Sequence, residues 1–141
     1  MPLLQFWKTA KEEVLKMTIE QVVASAGNGV LHDHSPCSDE FRQYLIVAPI
    51  ERLFDYSRHC LESSFNKSGL ALQDIVNEFG RRLDFEVENG LYQGKRNAIG
   101  YDGIWKAKGE SYAPQPRVGQ SKELKTHGDN FRRLWWTSSI W

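Results

Sequence analysis

The chain has 141 residues, a length that suits one domain with a single core. Apolar residues make up 40% and charged residues 26%, which excludes disorder throughout. Lys+Arg is 18 and Asp+Glu is 18, and this balance argues against the broad positive footprint of a strongly basic nucleic-acid binder.

Residues 3–26 read as one helix. Leu4, Trp7, Lys11, Val14, Leu15, Ile19, Val22 and Val23 mostly keep helical spacing, and Gly27-Asn28-Gly29 stops it. Residues 30–37 read as a loop, with Ser38 as the next N-cap and Phe41 as the first buried position. Pro49 suits the first turn of a helix to about Ser63, whose apolar positions are Ile50, Leu53, Phe54 and Leu61. Ser68 is placed to cap another helix. In it Leu72, Ile75, Val76, Phe79 and Leu83 give the cleanest amphipathic pattern of the chain. Phe85, Val87 and Leu91 then alternate as a strand. Asn89-Gly90 is a turn signal, Gly94-Lys95-Arg96-Asn97 resembles a hairpin tip, and residues 99–107 supply the partner strand. After Tyr112 the pattern becomes polar and irregular around Pro114 and Pro116, with Trp135, Trp136 and Trp141 near the end. This tail, from about residue 113, is expected either to lie over the core or to form a poorly ordered end.

Chemistry concentrates late in the chain. Ile99-Gly100-Tyr101-Asp102-Gly103-Ile104-Trp105 puts one carboxylate into a short apolar strand. Such a group needs a partner, and a metal ion is one. On a strand, Glu123 and Lys125 would share a face. Asp followed by Glu-x-Lys on strands is an arrangement used in metal-dependent phosphodiester hydrolysis. Beside this stand plainer readings. Asp102-Gly103 is also a good turn, and Glu78 with Arg82 four positions on makes an ordinary surface ion pair. Gln73 and Asn77 would occupy a solvated flank of their helix or approach a phosphate or base. Tyr92, Gln93, Lys95, Arg96 and Asn97 make a small basic-aromatic turn that touches a phosphate or is simply a solvated tip. His32, His34, Cys37 and Cys60 match no zinc spacing, and the two cysteines form no disulfide framework.

The block from Leu72-Gln73-Asp74-Ile75-Val76-Asn77-Glu78-Phe79-Gly80-Arg81-Arg82-Leu83 through Val87-Glu88-Asn89-Gly90-Leu91-Tyr92-Gln93-Gly94 to Gly100-Tyr101-Asp102-Gly103-Ile104-Trp105 resembles the PD-(D/E)XK nuclease superfamily, in a bacterial branch of it. The resemblance covers roughly residues 38–112. It implies an α/β fold with a small mixed sheet flanked by helices, a restriction-endonuclease-like core over 38–141, and residues 1–37 as a helical N-terminal extension. It also implies Mg²⁺ or Mn²⁺ held by Asp102, Glu123 and Glu78, with Lys125 stabilising charge at the phosphate. DNA is the implied substrate, contacted by Gln73, Asn77, Tyr92, Lys95 and Arg96, in a restriction or defence setting and with a homodimer as one assembly. The approach to Glu123, Val118-Gly119-Gln120-Ser121-Lys122, is polar where the family's strand is apolar, and sixteen residues follow Lys125. The C-terminal part is therefore expected to be divergent, truncated or read out of frame, and the core incomplete. The function expected is a metal-dependent DNA endonuclease or its catalytically degenerate relative, and the alternative is a non-catalytic interaction module on the same scaffold. No run of residues has the length and apolarity of a membrane span or the order of a signal peptide, so a cytoplasmic protein is expected.

Overall fold

The structure, a computed structural model, describes residues 2–93, 96 and 100–107, and the backbone of 133–136. The protein is mixed α/β. Its backbone divides into two compact units, Met1–Glu78 and Phe79–Trp141.

The first unit is helical. It contains α1 (Leu3–Thr9), α2 (Lys11–Leu15), α3 (Ile19–Ser25), α4 (Pro36–Val47), α5 (Ile50–Glu62) and most of α6 (Ser68–Arg82). The single helix expected over 3–26 is three short ones. The first break is at Ala10, whose φ −145 and ψ 53 leave helical space. The second is at Thr18, which opens α3 with a capping box. There the Gln21 N–H donates to Thr18 Oγ1 at 3.3 Å, and the Thr18 N–H donates to Gln21 Oε1 at 2.9 Å. The two breaks let Leu3, Val14, Ile19 and Val22 all bury their side chains, which one straight rod of that length could not do around a small core.

α4 begins earlier than Ser38. Ser35 is its cap, accepting the Ser38 N–H at 3.0 Å, and Pro36 occupies the first helical position, where a missing N–H costs nothing. Ser38 is instead a buried helical residue whose hydroxyl donates to the Ser35 carbonyl at 2.9 Å. Glu40 ties this helix to two distant segments. Its Oε1 accepts the Leu4 N–H at 2.8 Å, and its Oε2 accepts the Gly27 N–H. Leu4 lies in the first turn of α1, where unpaired amides and the helix dipole favour a carboxylate. The helices before α4 thus share a core with α4 and α5.

That core is centred on Phe41, Tyr44, Leu45, Leu53 and Tyr56, all buried. Trp7 meets Tyr44 edge-on at 5.4 Å, and the Tyr44 and Tyr56 hydroxyls lie 2.8 Å apart. Burial and the neighbouring Tyr56 hydroxyl hold Tyr44 well above the ordinary tyrosine range. The Arg52 guanidinium sits 4.8 Å from the Tyr56 ring centre. Two expected core positions of α5 fall on the other side. Phe54 and Leu61 stay more than half exposed, because the buried stripe of α5 runs through Leu53, Tyr56 and Cys60.

The second unit holds the end of α6 and the sheet. Asp84 turns the chain at φ 67, a left-handed conformation that aspartate tolerates, and β1 (Phe85–Asn89) follows at once. β2 (Gly103–Ala107) pairs antiparallel with β1 from Phe85↔Ala107 to Asn89↔Gly103. β3 (Arg133–Trp136) pairs antiparallel with the other edge of β2, from Gly103↔Trp136 to Lys106↔Arg133. The three described strands are therefore all antiparallel, where the family resemblance implied a mixed sheet. The irregular pattern after Tyr112 carries no strand signal for β3.

The expected antiparallel pairing of β1 with β2 is present. Leu72 and Ile75 on α6 are buried and Val76 and Phe79 half-buried, while Leu83 is exposed beyond the last helical turn. No helix among the described residues is long and apolar enough to cross a membrane.

Candidate functional site

The hairpin sets the position of Asp102. Gly90, just past β1, donates its N–H to the Asp102 carbonyl at 3.1 Å. A Cβ on Gly90 would lie 1.8 Å from the Tyr101 carbonyl oxygen, so only glycine lets the two chains approach this closely. Tyr101 donates its hydroxyl to Glu88 Oε1 at 2.8 Å, and this bond raises the Tyr101 pKa. Asp102 stands at a bend one residue ahead of β2 and is half-buried, so it heads the strand and does not lie within it. Arg81 Nη2 donates to Asn89 Oδ1 at 2.8 Å, joining the last turn of α6 to the end of β1.

β2 has no open edge over its paired length. β1 takes one side and β3 the other. β3 reads Arg133-Leu134-Trp135-Trp136 and contains no carboxylate. In the family reading, the strand flanking the one headed by the aspartate should carry Glu-x-Lys. Glu123 and Lys125 lie outside the described residues, as does Lys95. Of the expected nucleic-acid contacts in the β1–β2 connection, Tyr92 is half-buried and Arg96 is exposed.

On α6 the structure differs from the sequence reading. Gln73, Asp74, Asn77 and Glu78 stand at i, i+1, i+4 and i+5, a single stripe on the helix, and each is 3% exposed or less. Gln73 and Asn77 are therefore not on a solvated flank, and Glu78 is buried where the sequence placed it at the surface. Buried amides and carboxylates need partners, and each of the four residues has an interaction, although Glu78 Oε2 accepts no hydrogen bond among the described residues. The strongest visible one is Arg42 on α4, whose Nε donates to Asp74 Oδ1 at 3.0 Å. The Asp74 side chain is fully buried there, while Arg42 keeps a quarter of its surface in solvent. Sequence reasoning missed Asp74 and Arg42. Asp74 could have been flagged because it precedes Glu78 by one turn, but nothing local announces a partner 32 positions earlier.

Among the described residues, no three His, Cys, Asp or Glu side chains are grouped to hold a metal ion. Glu78 closes the first unit, and Asp102 belongs to the second. Cys37 and Cys60 are buried thiols, pushed up to about 11 and about 12, chiefly by loss of water around them. At neutral pH they are protonated, and a protonated thiol is a poor metal ligand. His32 is exposed and bonds through Nδ1 to the Asp33 carbonyl at 2.9 Å.

Comparison with protein-family models, with curated proteins and with solved structures finds no match to the chain.

Proposed function

We propose that this protein is a catalytically degenerate relative of the PD-(D/E)XK nucleases, a module that contacts DNA without hydrolysing it. The order that suggested the superfamily, a helix bearing Glu78, then an antiparallel hairpin headed by Asp102, agrees with the elements observed. The observation that carries the degenerate reading is β3. The strand beside β2 presents Arg-Leu-Trp-Trp where a hydrolytic site needs a carboxylate and a lysine.

The chemistry explains why that matters. Phosphodiester hydrolysis requires a deprotonated water, stabilised charge on the phosphorus oxygens and a neutralised leaving group. A Mg²⁺ ion held by two or three carboxylates supplies all three, and a lysine within about 3 Å of the reacting oxygens adds to them. Asp102 without a second carboxylate would hold a hydrated Mg²⁺ too weakly to do so. Arg96 and Tyr92, in the β1–β2 connection, remain as groups able to meet a backbone phosphate. With zero net charge, the protein should bind DNA through few phosphates and with a shallow salt dependence.

Incubation of plasmid with the protein and Mg²⁺ or Mn²⁺ tests the first half, with Asp102→Ala as control. Little or no nicking is expected from either protein. Robust metal-dependent cleavage that disappears in Asp102→Ala would mean that residues after β2 complete the site, and would restore the active-endonuclease reading. Fluorescence anisotropy of a labelled duplex tests the second half. Binding that weakens in Arg96→Ala supports the module. Failure to bind duplex at low salt leaves the scaffold as a protein-interaction module and removes DNA from the proposal.

A further inference from the structure

We draw no further inference here: the strongest candidate, the exposed apolar pair Phe54 and Leu61 on one face of α5, carries nothing because nothing in the structure shows what covers it.

Discussion

Two glycines on α6 should respond to alanine in opposite directions. Gly69 lies in the first turn with nothing within 4 Å of the place a Cβ would occupy. Gly69→Ala therefore removes only the entropic cost of glycine in a helix and should stabilise by about 0.5–1 kcal/mol. Gly80 lies in the last turns, where a Cβ would come within 2.5, 2.7 and 2.9 Å of Cε2, Cδ2 and Cζ2 of Trp105. Those atoms belong to a rigid ring that also packs on Phe85 at 5.6 Å, so no flexible end can swing aside. Overpacking of this kind costs about 1–3 kcal/mol, which exceeds a propensity gain of about 1 kcal/mol. Gly80→Ala should thus lose about 1 kcal/mol net, or roughly 3–5 °C in Tm for a chain of this length. The cause can be isolated. In a Trp105→Ala background the obstruction is gone, so the same Gly80→Ala change should become stabilising by up to about 1 kcal/mol. Thermal unfolding followed by circular dichroism measures Gly69→Ala and the four proteins of the Gly80–Trp105 cycle. A Gly80→Ala protein that melts higher than the parent, or a cycle with no reversal of sign, would refute the close approach of α6 to β2.

Arg42→Met should cost about 3–5 kcal/mol in urea unfolding, because it removes the charged partner of a fully buried Asp74 carboxylate, and adding Asp74→Leu should recover most of that loss; a loss under about 1 kcal/mol would show that other partners of Asp74 dominate. Cys37 and Cys60 should react with a thiol reagent at mildly alkaline pH only after unfolding, and rapid modification of the native protein would contradict their burial. Their folded pKa values lie above the ordinary thiol value of 9.0, so their contribution to stability is full below about pH 9 and is lost as pH rises toward 11 to 12; unfolding curves across that range, with and without Cys60→Ala, check it. Glu88→Gln should return the raised Tyr101 ionisation toward the usual tyrosine value in a spectrophotometric titration, and an unchanged titration would show that the Tyr101–Glu88 bond is not the cause.

What the sequence makes legible is local. The apolar stripe of α6, the proline at the head of α5 and the β1–β2 pairing each rest on signals within a few residues, and each is found in the structure. The split of residues 3–26 was also written locally, because Thr18-Ile19-Glu20-Gln21 is a capping-box pattern that the helical spacing of the apolar residues hid. The break at Ala10 has no such signal. The true cap of α4 was likewise available, since Ser35-Pro36 is a better start than Ser38. Other features depend on partners far along the chain. Glu40 bonds an amide 36 positions earlier, and Arg42 meets a carboxylate 32 positions later. No periodicity encodes either contact. β3 is four residues long, too short for alternation to stand out.

The burial of the α6 stripe bears on the chemistry as much as the composition of β3 does. A Mg²⁺ ion dehydrates reluctantly and keeps several of its waters, so its carboxylate ligands must face a space that admits water. Glu78 is 3% exposed, and Asp74 on the same stripe has its carboxylate turned to Arg42. Asp74 therefore answers to the demands of folding, where a buried charge is tolerated when it is paired and hydrogen-bonded. Asp102 differs. It is half-buried at the head of β2, and its backbone is held because its own carbonyl accepts the Gly90 N–H. Of the three metal ligands that the family pattern assigns, then, Asp102 is half-buried, Glu78 is 3% exposed and Glu123 lies outside the described residues, while the strand flanking β2 contains no acidic residue. On the proposed reading, a carboxylate such as Asp74, buried against Arg42, serves the fold and not a metal ion.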